Sequence, residues 1–292
     1  MNFGIVTDFY GCRIPLEEAL QRLAKLGFRD LEIPGWHWTA GQDPAHFMTG
    51  NPRRIENVKK MLADLGLNVQ QFHSSLPLAV DSEEKRKNWN DLIKQTIELA
   101  AELGAGALVI HIGGRHEEAK GLSREEVFER NAKSLAELVK YTENTPLKLA
   151  IENLMSDTHL LGCKIAELKE LIAAVGSENM GICLDTGHAN VDGLDVAGAI
   201  EECGDLLIAT HIQETCPGND IHAMPFSIRR VKSSMDWFKI FDTFRKVHYP
   251  YPLIGECANT TGELPVALAD QYLKAQKELI DAVLRGDFSP DK

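Results

Sequence analysis

The feature that most constrains this chain is an alternation of short apolar runs with longer amphipathic segments, sustained from one end to the other. The runs have the length of strands, and segments such as PLEEALQRLAKLGF and KIAELKELIAAVG have helical periodicity. Eight strands are predicted, at residues 3–6, 31–33, 69–73, 107–112, 148–152, 181–185, 207–212 and 253–256. Strands and helices that alternate without a linker predict an α/β fold, a single (β/α)8 TIM barrel domain over residues 1–292.

A doubly wound Rossmann sheet is the alternative architecture. No GxGxxG pattern opens a helix after a strand, and Gly113-Gly114 alone does not supply one. Two connections, at residues 34–51 and 215–235, are long for a compact domain. Loops of that length are usually lids or binding loops, so we expect them to border the functional site.

Composition limits the partners of the chain. Its 292 residues carry 31 Lys and Arg against 43 Asp and Glu, a net charge of −12, which disfavours nucleic acid and favours a small-molecule substrate. The six cysteines are dispersed, without a CxxC pair, as expected for free thiols in a reducing compartment. The sequence has no apolar run of membrane-spanning length and begins without a signal-peptide pattern. We therefore expect a cytoplasmic protein that does not enter a membrane.

Polar side chains of one chemical kind end six of the predicted strands. In barrel enzymes the reactive groups lie where strands end and the following loops begin. From the third strand to the eighth, these positions hold His73, His111, Glu152, Asp185, His211 and Glu256. All six are residue types that bind metal ions.

The alternation of side chains along a strand indicates which way these groups point. Residues two apart share a face, and Ala150, Cys183 and Ala209 precede three of the polar residues by two positions. Small residues suit the narrow interior of a barrel, whereas the intervening Ile151 and Leu184 are expected to face the helices.

Four of the groups are therefore expected to converge at the carboxyl end of the barrel: Glu152, Asp185, His211 and Glu256. Carboxylates brought so close repel one another unless protons or a cation compensate them. Three carboxylates and one imidazole suit Mn²⁺, Mg²⁺ or Co²⁺, and also accommodate Zn²⁺. The sequence thus predicts one divalent metal, and the alternative is a network of ion pairs at the barrel mouth.

The phrases IENL, LDTGHAN, HIQE followed by DIH, and GECAN resemble those of the xylose isomerase-like TIM barrel superfamily. That superfamily comprises sugar isomerases, ketose 3-epimerases, inosose dehydratases and nucleases of the endonuclease IV type. Resemblance to the epimerases implies that Glu152, Asp185, His211 and Glu256 bind one metal, that Glu152 and Glu256 are the catalytic acid and base, and that His188 contacts a substrate hydroxyl. The implied reaction is proton abstraction beside a metal-bound carbonyl of a sugar or sugar phosphate, through an enediolate.

Endonuclease IV is the main rival, because its three-zinc site uses nine positions and each has a match here. The matches are His73, His111, Glu152, Asp185, His188, His211, Asp220, His222 and Glu256. Against this reading stand the acidic net charge and the lack of a concentrated basic surface, since phosphate contacts supply most of the affinity for a duplex. Arg229, Arg230 and Lys232 would serve a sugar phosphate equally well. An inosose-type dehydratase and a non-catalytic sugar-binding barrel also remain open.

The remaining candidates line a predicted substrate pocket. Trp36 and Trp38 follow the second strand, where their rings would stack on a sugar or pack on the barrel rim. The other expected substrate-binding residues are His73, His111, His188, Asp220 and His222. His46, His116, His159 and His248 lack a supporting context and are predicted to lie on the surface. The C-terminal helix carries a Leu and Ala stripe that would suit a homo-oligomer contact, although no sequence feature decides this.

Overall fold

Eight parallel strands form a barrel in the computed structural model, which describes residues 1–41, 51–228, 235–258 and 264–288. The barrel strands are β1 (Phe3–Val6), β2 (Asp30–Pro34), β3 (Asn68–Ser74), β4 (Ala107–His111), β5 (Lys148–Glu152), β6 (Met180–Asp185), β7 (Leu207–His211) and β10 (Leu253–Gly255). They follow one another in the sheet, with β10 beside β1. The predicted TIM barrel is thereby confirmed.

Strands β10 and β7, at the two ends of the sheet order, meet and nearly close the barrel. The Ile212 backbone N–H, just after β7, donates to the Ile254 carbonyl of β10 at 2.7 Å. The Glu256 N–H donates in turn to the Ile212 carbonyl at 3.1 Å. Closure leaves the sheet without two long unpaired edges.

The described helices pack around the barrel or follow its strands. Their bounds are α1 (Leu16–Lys25), α2 (Gly35–Thr39), α3 (Pro52–Leu65), α4 (Glu83–Glu102), α5 (Arg124–Leu138), α6 (Ile165–Val175), α7 (Thr186–Val191), α8 (Val196–Cys203), α9 (Trp237–Lys246) and α10 (Val266–Arg285). Helix α5 begins with a capping box between Ser123 and Glu126, in which each side chain accepts from the other residue's backbone. Among the described helices, none has the length and hydropathy needed to cross a membrane.

Apolar side chains divide into two layers, as the strand alternation predicts. Ile151 and Leu184 belong to the large cluster between sheet and helices. The smaller cluster consists of Ala107, Val109, Ala150, Cys183, Ile208 and Ala209, all on neighbouring strands β4 to β7. These mostly small side chains fill the barrel interior beneath the strand ends and leave room there for larger polar groups.

The two long connections each contain an element that the sequence analysis did not predict. In the first, α2 follows β2 directly, and residues 42–50 lie outside the described part of the chain. In the second, strands β8 (Glu214–Cys216) and β9 (Asn219–Ala223) form an antiparallel hairpin. Its turn is Pro217-Gly218, with Gly218 at φ +75°, which suits the third position of a type II turn. Arg229, Arg230 and Lys232 lie outside the described residues.

Candidate metal centre

The strand ends bring four acidic and imidazole groups together at the carboxyl end of the barrel. The register sets His111 of β4 beside Glu152 of β5, and Asp185 of β6 beside His211 of β7. Three of these residues, Glu152, Asp185 and His211, form a four-member group with Glu256, which follows β10. Each offers one ligand atom, and these atoms lie within 4.8 Å of one another. The predicted convergence is present, and all four residues are buried.

Glu152 occupies the centre of the cluster. Its Oε1 lies 3.2 Å from His211 Nδ1 and 3.3 Å from His188 Nδ1. Its Oε2 lies 3.1 Å from His111 Nε2 and 3.6 Å from His73 Nε2. One carboxylate therefore faces imidazoles from four different segments of the chain.

Two further ligand groups of sequence-predicted residues adjoin the first. One consists of His73, His111 and Glu152, and the other of His188, Asp220 and His222; a fourth group combines Glu32 with His73, His211 and Glu256. In the second group, His222 Nε2 lies 2.9 Å and His188 Nε2 lies 3.7 Å from Asp220 Oδ2. All nine positions that match the endonuclease pattern thus fall into three adjoining groups, two of which share Glu152, and this is more than a single ion requires.

Neighbouring backbone and amide groups hold Asp185 in place. Its Oδ1 accepts from the His188 N–H at 2.7 Å and so caps the start of α7. The Asn153 side chain bonds both its N–H and its carbonyl, at 2.7 and 3.0 Å. The Gln213 amide donates to both carboxylate oxygens, at 3.3 and 3.1 Å, and accepts from the His222 N–H at 2.9 Å.

Glu32 is a buried carboxylate at the cluster that the sequence analysis did not single out. It lies inside strand β2 and is completely buried. Its Oε2 is 2.8 Å from His211 Nε2, and its Oε1 is 3.4 Å from His73 Nδ1. A charged residue between Leu31 and Ile33, in a strand enclosed on both faces, was the signal that could have identified it.

The electrostatics of the cluster separate its two candidate catalytic carboxylates. Burial alone would raise the pKa of Glu152, but the imidazoles of His211 and His111 outweigh it and hold that pKa well below its usual value. Burial raises the pKa of Glu256 to about 7 and is only partly offset by His211 and His222. The surroundings therefore favour the ionised form of Glu152 and the protonated form of Glu256.

Several polar atoms of the cluster are buried without a hydrogen bond among the described residues. They are Glu32 Oε1, His73 Nδ1, both Glu152 oxygens, His211 Nδ1, Asp220 Oδ1 and Glu256 Oε2. Buried polar atoms normally have hydrogen-bond partners. Apart from the Asp220 oxygen, the unpartnered atoms belong to residues of ligand groups that share Glu152, His73, His211 or Glu256. Oxygen and imidazole nitrogen donors in this arrangement fit a divalent cation, which would compensate the carboxylates.

A cavity of about 650 Å³ opens above the cluster. Of the predicted substrate-binding residues, it is lined by His73, His111, His188, Asp220, His222 and Trp36. The Trp36 indole donates to Asp8 Oδ2 at 2.5 Å and packs edge-on against the His73 ring. The rim also carries Arg115 beside acidic residues.

Trp38 corrects the sequence-based expectation of substrate contact. It is completely buried and does not line the cavity. Its ring lies under the Arg54 guanidinium, 4.4 Å from the ring centroid. Trp36 and Trp38 belong to the short helix α2, where residues two apart point in different directions, so only one of them reaches the mouth.

His159 corrects a second expectation, because it is buried and lines the cavity instead of lying on the surface. His116 is exposed, as predicted, and also lines the cavity. His159 is buried, and its Nδ1 lies 2.8 Å from the Thr158 hydroxyl. An isolated bridge between Arg115 and His159 joins the loops that follow β4 and β5. Contact between two distant loops leaves no periodic signal in a sequence.

Curated relatives include both sugar-acting enzymes and nucleases. Fructoselysine 3-epimerase of Shigella flexneri is 24% identical over 75% of this chain and 79% of its own length. Probable endonuclease 4 of Ureaplasma parvum is 28% identical, over 48% of this chain and 46% of its own length.

Solved structures share the fold at lower identity. D-psicose 3-epimerase from Clostridium cellulolyticum H10, solved with D-tagatose, superposes with a TM-score of 0.81 at 18% identity, covering 97% of this chain and 99% of its own. IolI, solved with a bound zinc atom, has a TM-score of 0.74 at 17% identity over 99% and 100% of the two chains. The profile of the family described as the xylose isomerase-like TIM barrel matches residues 20–281. This chain belongs to that family.

Proposed function

We propose that the protein is a divalent-metal-dependent isomerase or epimerase that acts on a sugar or a sugar phosphate. The observation that carries the proposal is the pair of carboxylates, Glu152 and Glu256, in one buried four-residue ligand group under a cavity of about 650 Å³. That volume falls within the range of small-molecule sites. The epimerases among the relatives and structural neighbours point to the same substrate class.

The proposed metal ligands are Glu152, Asp185, His211 and Glu256, and the ion is Mn²⁺, Mg²⁺, Co²⁺ or Zn²⁺. When bound, a divalent ion would supply Lewis-acid polarisation of a substrate carbonyl. That the structurally similar IolI was solved with a bound zinc atom supports a metal-binding function.

The two glutamates divide the proton transfers between them. Glu152, whose pKa is held low, is ionised and removes the proton beside the carbonyl, which yields the enediolate of the substrate. Glu256 is the acid that donates a proton to the enediolate. Return to the opposite face gives an epimer, and return to the neighbouring carbon gives an isomer. The imidazole of His188 and the ring of Trp36 bind the sugar.

Solvent exchange tests this proposal. During turnover of ketoses in deuterated water, we expect deuterium at the carbon beside the carbonyl. Glu152→Gln and Glu256→Gln should each lower turnover by at least about 100-fold, the usual contribution of a general acid or base. The control is Glu214→Gln, because Glu214 is equally buried but accepts from the Ile228 N–H instead of joining the ligand groups. Near-normal turnover by either site variant would exclude its assigned role.

The second candidate is a zinc phosphodiesterase that cleaves at abasic sites. It is favoured by the three adjoining groups of predicted ligands and by the endonuclease relatives. Weighing against it, the rim of the cavity carries Glu117, Glu118 and Asp157 beside Arg115, and the chain has a net charge of −12.

Elemental analysis combined with two substrate panels separates the candidates. One metal per chain with turnover of ketoses or inososes supports the sugar enzyme, and an inosose that loses water identifies a dehydratase. Three zinc ions with cleavage of an abasic duplex would replace our proposal by the phosphodiesterase. Sugar binding with neither exchange nor cleavage would identify a non-catalytic barrel.

A further inference from the structure

We propose that Glu32 is a positioning residue that fixes the tautomers of two imidazoles, His211 and His73, so that each directs a lone pair into the ligand cluster. The inference rests on the proposed metal site and deepens it. It assigns a role to a carboxylate that is completely buried under the cluster and takes no part in the proton transfers proposed above.

The contact with His211 determines which of its nitrogens carries hydrogen. An ionised carboxylate can only accept, so the 2.8 Å contact of Glu32 Oε2 requires the hydrogen on His211 Nε2. The lone pair is then on Nδ1, which lies 3.2 Å from Glu152 Oε1 and 3.3 Å from Glu256 Oε2. The nitrogen left without hydrogen is thus the one that faces the ligand group.

The same carboxylate orients His73 through its other oxygen. Glu32 Oε1 lies 3.4 Å from His73 Nδ1, a contact between charged groups in which neither atom has a hydrogen bond among the described residues. The negative charge so close to Nδ1 favours the hydrogen on that nitrogen and the lone pair on Nε2. His73 Nε2 lies 3.0 Å from His111 Nε2 and 3.6 Å from Glu152 Oε2. Two imidazole nitrogens so close, facing one carboxylate oxygen, have the arrangement of ligands that share a cation.

Glu32 is itself held rigidly by Gln71. The Gln71 amide N–H donates to Glu32 Oε2 at 2.8 Å and to the Thr210 carbonyl at 3.3 Å. Its oxygen accepts from the Thr210 N–H at 3.2 Å. Thr210 directly precedes His211 on β7, so one amide fixes the carboxylate to the backbone of the ligand that it orients. Outer partners of this kind commonly pair with metal-binding histidines.

The test uses Glu32→Gln, which keeps the shape of the side chain but leaves one acceptor oxygen for two imidazoles. We expect its dissociation constant for Zn²⁺, measured by competition with a chromophoric chelator, to rise about 10- to 100-fold. In metal-free wild-type protein, at a pH high enough to make both imidazoles neutral, long-range ¹H–¹⁵N spectra should place hydrogen on His211 Nε2 and His73 Nδ1. In the variant, at least one of these imidazoles should change tautomer.

Asp30→Asn is the matched control, because Asp30 lies buried on the same strand but bonds Asn2 and Asn68 away from the cluster. It should leave both tautomers and the zinc affinity unchanged. If Glu32→Gln does not fold, Glu32→Asp replaces it, with an affinity loss expected because the shortened carboxylate cannot reach both rings.

Wild-type tautomers other than those expected, or a folded Glu32→Gln variant with unchanged zinc affinity, would overturn the inference. A purely structural role would lower the unfolding temperature and leave the tautomers of the folded protein as they were. Failure of the proposed function appears separately, as a wild-type protein without deuterium exchange on any sugar, and the tautomer spectra do not depend on that result.

Discussion

At the scale of single residues, the site depends on Gln213, a side chain outside the ligand groups. Its amide joins the Asp185 carboxylate to the His222 backbone, and so ties one ligand group to another. Gly187, in the phrase LDTGH, makes room for it. A Cβ on Gly187 would lie 2.4 Å from the Gln213 side chain.

Gly187→Ala should therefore weaken metal binding without unfolding the protein. The added methyl group displaces Gln213 from Asp185, and we expect the dissociation constant for the metal to rise by about 10-fold or more. Gly198→Ala on α8 is the control, because a Cβ there meets nothing closer than 3.5 Å and alanine favours a helix. Equal affinities for the two variants, measured by titration calorimetry, would contradict this role of Gly187.

The histidines also predict how stability depends on pH. Burial lowers the pKa of His222, but Asp220 and Glu256 outweigh it and raise the pKa to about 9 from the ordinary 6.5. Because the pKa of His222 is raised in the folded state, its protonation stabilises the folded protein. That contribution is complete below pH 6.5 and is lost as the pH rises through 9. His188 and His211 are shifted in the same direction.

Metal-free protein should accordingly lose stability towards urea between about pH 6.5 and about pH 9. His222→Gln should show a smaller loss over the same range. Metal affinity should rise in this window, because ligand imidazoles must be neutral. An unfolding free energy of the metal-free protein that increased with pH would contradict the assigned shifts.

At the scale of elements, a buried guanidinium holds two outer helices together. Arg86 of α4 is almost completely buried and bonds the Glu83 carboxylate within its own helix. It also reaches α5, where it donates to the Ser134 hydroxyl at 3.0 Å and to Glu137 at 3.0 and 3.2 Å. The contact between α4 and α5 therefore includes charged hydrogen bonds whose guanidinium is shielded from water.

Arg86→Met should lower the unfolding free energy by about 2 kcal/mol, less than for a wholly buried pair, because the partner carboxylates are partly exposed. Lys59→Met removes an exposed pair with Glu102 and should cost less than about 1 kcal/mol. Urea denaturation of both variants measures the difference. Equal losses would show that burial does not strengthen the Arg86 contacts.

At the scale of the whole molecule, an ion bound by the four proposed ligands at the carboxyl end should stabilise the entire barrel. The four proposed ligands come from strands β5, β6 and β7 and from the segment that follows β10, so binding couples distant parts of the chain. A ligand that binds only folded protein adds about 2.7 kcal/mol at 100 times its dissociation constant.

Chelation should therefore lower the unfolding temperature, and one of Mn²⁺, Mg²⁺, Co²⁺ or Zn²⁺ should restore it. Calorimetric scans before and after metal replacement measure the shift. Glu214→Gln should respond like the wild type, since Glu214 lies outside the ligand groups. An unfolding temperature that did not change with chelator or added metal would contradict a metal at this position.

The sequence predicted the barrel and most of the cluster because both leave periodic signals. All strands of a parallel barrel end at the same mouth. An apolar strand that ends in Glu152 or Asp185 therefore predicts that this side chain lies at the mouth. Glu32 was missed because it stands inside an apolar strand instead of at its end. Trp38 was misplaced because a five-residue helix cannot be oriented from so few residues. His159 reaches the cavity through a loop contact that has no period.

The closure of the barrel between Ile212 and Ile254 also bears on how the protein is made. His211 and Glu256 lie on the two segments that meet there, at the far end of the chain from the first strand. A nascent polypeptide lacks its last carboxylate until residue 256 has left the ribosome. The proposed ion would thus find its full set of ligands only after residue 256 has been synthesised, and shorter translation products would offer an incomplete coordination sphere.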